Sequence, residues 1–210
     1  MKKKIVFIGN SIVNGYPFSR SKSFPSRVRT ALKENPINGS AMDVIGKGVN
    51  GDTTHGILMR FHEDVISHNP DFVFVMTGTN DFIYGESSPA EAFANLEKMR
   101  RALEESSASG TSPVMVYMTP LPVDAAKAEV MWLAGLGISY AAVNRRIDEL
   151  SDLIRTSGVP FVDTNRAFKE FIETLDDGDA AYIDGIHPQQ AGQEHIAKVV
   201  TAWITSFITN

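Results

Sequence analysis

Lys4-Ile5-Val6-Phe7-Ile8-Gly9-Asn10-Ser11 is a short apolar run that stops at a glycine and gives way to two small polar residues. A run without alternation is what a strand buried on both faces looks like, and such strands belong to parallel sheets covered by helices. Four further runs, 43–49, 72–77, 114–119 and 160–163, read the same way. Between them lie helical stretches at 24–34, 53–67, 89–106 and 138–156, and a last helix spans 189–208. In that last stretch Ile196, Val199, Val200, Trp203, Ile204 and Phe207 fall on one apolar stripe at helical spacing. Strands alternating with helices predict an α/β fold: a three-layer α/β/α sandwich around a five-stranded parallel sheet, with right-handed crossovers. No repeat, low-complexity tract or linker divides the chain, so residues 1–210 are expected to form a single domain.

Bulk properties narrow the function. At 210 residues the chain is long enough to bury a full core, and 43% hydrophobic with 21% charged residues is a globular balance. A net charge of -5 argues against nucleic acid as a partner. The absence of cysteine excludes disulfides, thiolate metal sites and a Cys nucleophile. Lys2, Lys3 and Lys4 precede an apolar stretch, but Ile5-Val6-Phe7-Ile8 ends at Gly9, short of the ~7–15 residues of a secretory signal core. No run approaches the ~18–20 apolar residues of a membrane span. A cytoplasmic location is the expectation.

Ligands of open parallel sheets bind beyond the carboxyl ends of the strands. After the first three strands stand Gly9-Asn10-Ser11, Asn50-Gly51-Asp52-Thr53 and Gly78-Thr79-Asn80-Asp81, three small polar turns expected to converge on one crevice. Ser11 suits a helix cap as well as a nucleophile, and as a nucleophile it needs a base. Asp184-Gly185-Ile186-His187-Pro188, ahead of the last helix, supplies one: a carboxylate three residues before a histidine can accept its Nδ1–H and free Nε2 to take a serine proton. Pro188 suits the start of that helix. Gly51, through its backbone N–H, and Asn80, through its amide, can join the Ser11 N–H as donors to an oxyanion; a positive-φ turn and a helix cap are the plainer uses of those two residues. A metal site would need more ligands than the sequence clusters, and His55, His62, His68 and His195 fall in predicted helices, facing solvent or capping.

The four segments together resemble the SGNH hydrolases, the GDSL esterase/lipase family. Its blocks correspond to Ile8-Gly9-Asn10-Ser11-Ile12-Val13-Asn14-Gly15-Tyr16, Gly48-Val49-Asn50-Gly51-Asp52-Thr53-Thr54, Gly78-Thr79-Asn80-Asp81 and Asp184-Gly185-Ile186-His187-Pro188, in the family's order. The resemblance implies a flavodoxin-like sandwich with neither metal nor organic cofactor. It implies Ser11 as nucleophile, His187 as base and Asp184 as its partner, with Ser11, Gly51 and Asn80 forming the oxyanion hole. One position departs from the pattern: the usual Gly-Asp-Ser is Gly9-Asn10-Ser11, which removes a charge and adds a donor beside the nucleophile.

The expected function is a serine esterase acting on small acyl esters through an acyl-serine intermediate, with acetyl esters on carbohydrates and aryl or short-chain esters as candidate substrates. A lysophospholipase or acyl-thioesterase, and a non-catalytic binding module, are the alternatives. A flavin-binding electron carrier fits poorly, because residues 9–15 carry few hydroxyls where a phosphate-cradling loop is rich in them. The segment 120–137, with Met131, Trp132 and Leu133, reads either as a loop over the site that lines an acyl pocket or as a plain surface connection.

Overall fold

The computed structural model describes residues 3–106, 113–132 and 139–209. Among them the strands are β1 (Lys3–Gly9), β2 (Met42–Gly48), β3 (Phe72–Met76), β4 (Val114–Met118) and β5 (Phe161–Val162). They form one sheet in the order β2-β1-β3-β4-β5 with every pairing parallel, the flavodoxin-like order. The pairing aligns Gly9 with both Gly48 and Met76, Met76 with Met118, and Met118 with Val162, so the five strands stop in one row.

Two apolar layers follow from the strand pleat, which sends successive side chains to opposite faces. Phe7, Val44, Phe74, Met76 and Met118 pack against α2 (Phe24–Glu34), α8 (Thr164–Glu173) and α9 (Gln190–Thr209). Val6, Ile8, Val73, Val75 and Tyr117 pack against α3 (Thr54–Asp64), α5 (Pro89–Glu105) and α7 (Tyr140–Thr156). The helix starts are legible in the chain. Pro25 opens α2, and Ser88 with Glu91 builds a capping box ahead of α5, each side chain closing on the other's backbone N–H.

Several expectations need correction. The run 43–49 is not buried on both faces: β2 is an edge strand, half-buried through most of its length. Arg29 Nε donates to the Val44 carbonyl at 2.9 Å, occupying an edge acceptor that a foreign strand would otherwise use. The predicted helix 53–67 breaks at Val65, beyond which Ile66–His68 is a 3-10 turn. Pro188 does not open α9; it bridges antiparallel to Tyr182, two residues before the helix begins. The α9 stripe is buried at Ile196, Val200 and Ile204, while Phe207 at its end is exposed and stacks on Trp203. Reading by periodicity passed over α1 (Ser11–Asn14), α4 (Thr79–Tyr84) and α6 (Ala125–Met131), which have four, six and seven residues, too few to display a period. It also passed over α8, whose Phe168, Phe171 and Ile172 do carry helical spacing.

The row of strand ends is close-packed. A Cβ at Gly9 would lie 2.3 Å from the Met76 carbonyl oxygen, and one at Gly48 would lie 2.2 Å from the backbone nitrogen of Asn14, because α1 crosses directly over β2. Gly48→Ala therefore forces backbone apart. It is expected to destabilise by about 1–3 kcal/mol, read as a lower urea midpoint with an unchanged slope of unfolding.

Candidate active site

Ser11 is the first residue of α1, and the side chain capping that helix belongs to Asn10, whose Oδ1 accepts the Ile12 N–H at 3.0 Å. The serine is thereby released from capping. Its Oγ lies 2.9 Å from His187 Nε2, and His187 Nδ1 lies 2.6 Å from Asp184 Oδ2. All three residues are buried. Asp184 Oδ1 accepts two backbone N–H groups, from Ile186 at 3.0 Å and His187 at 2.8 Å, so both carboxylate oxygens are engaged. With its Nδ1–H held by Asp184, the imidazole presents Nε2 as an acceptor to the serine hydroxyl. This is the arrangement of a Ser-His-Asp triad.

Asn10 also answers the departure noted in the sequence. It is 2% exposed and uses its oxygen as the cap acceptor, a role Asn and Asp fill about equally well. The change from the usual Asp falls on a capping residue and leaves the triad intact.

The loop carrying Asp184 and His187 is braced on both flanks. Ile183 N–H donates to the His187 carbonyl and Gln189 N–H to the Ala181 carbonyl, each at 2.9 Å. Gly185 has φ +87°, and a Cβ there would lie 2.4 Å from the Ala128 nitrogen in α6, so glycine is required by conformation and by space. Asp124 N–H donates to the Gly185 carbonyl at 2.8 Å, and Lys127 Nζ donates to the Tyr182 carbonyl at 2.9 Å. On the other side buried Gln193 accepts the Phe24 N–H at 2.8 Å and donates to the Ile12 carbonyl at 3.3 Å, joining the helix after His187 to the helix that begins at Ser11.

The remaining strand ends close the site. Asn80 is the second residue of α4, whose cap is Gly78, so it caps nothing; its Nδ2 donates to the Asp52 carbonyl at 2.9 Å, and its second hydrogen meets no acceptor among the described residues. Gly51 does occupy a positive-φ turn (+76°), and its N–H reaches no acceptor among the described residues. Fully buried Asp81 accepts the Thr54 N–H at 2.9 Å and the Thr54 hydroxyl at 2.5 Å, fastening α4 to the start of α3. Ser11, Gly51, Asn80 and His187 share a cleft of about 310 Å³, together with Tyr16, Asn50, Ile83, Tyr84, Trp132, Tyr140 and Ile186. Tyr16 meets the His187 ring edge-on with centroids 4.7 Å apart, and Trp132 lies at 6.0 Å.

Of the segment 120–137, residues 120–123 are buried and α6 packs under the catalytic loop, so this part is a brace rather than a lid. Trp132 lines the cleft as one reading had it; Met131 is exposed and outside the lining, and Leu133 lies outside the described residues. Tyr84, Tyr140, Ile83 and Ile186 were not singled out from sequence, since nothing in their local pattern separates a cleft wall from core. His55 and His62 face solvent, but His195 is half-buried, stacked on Phe171 with its Nε2 3.1 Å from the Ala167 carbonyl oxygen. Among the described residues no group of three or more His, Cys, Asp or Glu is placed to hold a metal, and no helix is long and apolar enough to cross a membrane.

Fold and site together define a serine hydrolase on a parallel α/β sheet. Residues 7–195 match the model of the GDSL-like lipase/acylhydrolase family. The chain belongs to that family of ester hydrolases. It is 30% identical over 160 residues to an acetylxylan esterase of Geobacillus stearothermophilus, covering 74% of this chain and 68% of that protein. It is 34% identical over 120 residues to an arylesterase of Vibrio mimicus, covering 57% of this chain and 56% of that protein. Among solved structures, a lipase/acylhydrolase from Enterococcus faecalis superposes with a TM-score of 0.76 at 22% identity, covering 97% of this chain and 96% of that one. A catalytic mutant of the Geobacillus stearothermophilus acetylxylan esterase superposes with a TM-score of 0.74 at 22% identity, covering 97% and 95%.

Charge in the site has direction. Burial raises the Asp184 carboxyl, but hydrogen bonds from the His187 ring and backbone outweigh it and hold the group below its ordinary value. A depressed carboxyl stabilises the fold above its unfolded pKa, and that contribution disappears as pH falls through the folded value. The stability gap between the native protein and Asp184→Asn is therefore expected to be widest near neutrality and to close below about pH 4, measured by urea unfolding across pH. Asp81 behaves oppositely, because burial pushes it up against the lowering from Thr54.

Proposed function

We propose that the protein hydrolyses small acyl esters through an acyl-serine intermediate, with Ser11 as nucleophile, His187 as base then acid, and Asp184 orienting it. The observation that carries this reading is the unbroken chain Ser11 Oγ, His187, Asp184, at 2.9 and 2.6 Å, opening into the cleft. His187 Nε2 takes the Ser11 proton as Oγ bonds to the acyl carbon. The oxyanion of the tetrahedral intermediate is received by the N–H groups of Ser11 and Gly51 and by the second Asn80 amide hydrogen. The carbon–oxygen bond to the alcohol then breaks, and His187 delivers the proton to that oxygen. Water, deprotonated by the same nitrogen, attacks the acyl-enzyme, and collapse releases the acid and restores Ser11.

The acyl group is short and the alcohol is a sugar ring or an aryl group. A cleft of about 310 Å³ lies at the small end of the range for ligand pockets, roughly 300–1,000 Å³. Its mouth exposes the rings of Tyr16, Tyr84 and Trp132, flat faces suited to a planar aryl group or the apolar face of a pyranose. Deeper in, burial first and the Asp184 charge next push the Tyr140 phenol up, so it stays protonated as a donor. That an acetylxylan esterase and an arylesterase are among the similar proteins supports both alcohol classes.

A p-nitrophenyl ester series from acetate to palmitate tests this. Acetate and butyrate are expected to turn over and palmitate to fail, and Ser11→Ala is expected to lose on the order of 10⁶ in kcat, the loss seen in a serine protease. Undiminished turnover of palmitate would refute the short acyl pocket, and an active Ser11→Ala would refute the mechanism.

A further inference from the structure

The guanidinium of Arg60, in the middle of α3, is mostly buried and reaches four acceptors, two backbone carbonyls near the ends of β1 and β2 and two carboxylates. Nε donates to Asp52 Oδ2 at 2.7 Å, Nη1 to the Lys47 carbonyl at 3.0 Å and to Asp64 Oδ2 at 2.7 Å, and Nη2 to the Gly9 carbonyl at 3.0 Å. Gly9 ends β1, and its carbonyl belongs to the peptide just before the one that carries the Ser11 N–H. Asp52 follows Gly51 directly, and its carbonyl receives the Asn80 amide. One planar fork thus holds a group adjacent to each of the three oxyanion donors. Asp52 is further confined by its own geometry: Oδ1 accepts the Thr53 N–H at 3.1 Å, and a Cβ at Gly56 would fall 2.0 Å from it.

We infer that Arg60 is a positioning residue for the oxyanion hole, fixing the spacing of the Ser11 N–H, the Gly51 N–H and the Asn80 amide; this rests on the hydrolytic reading above. Arg60 touches none of the reacting atoms. Its work is to make three donors from three strand ends rigid with respect to one another, so that they meet a forming oxyanion without reorganising. Four donors in a rigid plane match four acceptors in four directions, which a lysine nitrogen cannot do.

The test compares the native protein with Arg60→Gln, Arg60→Lys and, as a control, Arg155→Gln. Arg155 is a partly buried fork of similar exposure, whose partners Asp152 and Asp163 lie outside the cleft. A fluorophosphonate titrates intact sites, so that kcat is counted per competent serine. For Arg60→Gln, kcat is expected to fall about 10²-fold with KM changed less than about threefold. Affinity for a boronate that forms a tetrahedral adduct with Ser11 is expected to fall by a factor comparable to kcat. Arg60→Lys is expected to fall nearly as far, and Arg155→Gln to lose stability while keeping kcat. A role in stability alone would leave kcat per site and boronate affinity of the Arg60 variants at native values, and that result overturns the inference. So does recovery of native kcat by Arg60→Lys, which would make charge rather than the fork responsible. If Arg60→Gln does not fold, Arg60→Lys and Asp52→Asn, which removes one arm of the fork, carry the same comparison. Failure of the hydrolytic reading is separate: the native protein itself would then resist the fluorophosphonate.

Discussion

Parallel strands deliver their carboxyl ends to one edge of the sheet, and here the register makes those ends coincide: Gly9, Gly48 and Met76 stand in one row. Whatever follows each strand must turn within a few residues of that row, in space already crowded by its neighbours. The glycines at 9 and 48 are the local answer, because a side chain at either would collide with backbone from the adjoining element. With the turns pressed together, Ser11, Gly51 and Asn80 share one cleft although they are far apart in the chain.

The histidine comes from a fourth place and is located by different means. Its loop has no strand to inherit direction from, and is shaped instead by Asp184, which takes two backbone N–H groups on one oxygen and the imidazole on the other. A single carboxylate therefore both folds the turn and orients the ring. α6 braces this loop from one side, close enough to exclude any side chain at Gly185, and Gln193 ties the following helix to α1 and α2 from the other. The nucleophile and its base are held by separate elements joined through the Gln193 side chain, which bonds to the backbone of both α1 and α2. In such a frame a small displacement of either element disturbs the 2.9 Å contact between them.

Polar side chains buried beneath the site serve mainly to fasten backbone. Asn10 caps α1 and frees Ser11 from doing so; Asp81 joins α4 to α3; Arg60 binds the ends of β1 and β2 to the turn at Asp52. Asp81 and Arg60 are each satisfied by several hydrogen bonds, the condition under which a buried polar group rigidifies rather than weakens a core.

By itself the chain made the sheet and the chemistry legible. Buried parallel strands leave runs without alternation, long amphipathic helices leave a period, Ser11, Gly51 and Asn80 stand in small polar turns directly after strands, and Asp184 and His187 share one glycine-containing turn ahead of the last helix. Composition and local pattern carry such signals because they arise within a few residues. What they could not carry was anything decided between distant segments: that β2 lies at an edge and is only half-buried, that Asn10 rather than Ser11 caps α1, that 120–132 braces the catalytic loop, and that Tyr84, Tyr140 and Ile83 wall the cleft. Arg60 is the clearest case, one basic residue in mid-helix whose four acceptors lie 4 to 51 positions away along the chain. Its partners exist only once β1, β2 and α3 have packed, because a hydrogen bond depends on distance in space and the sequence records only order.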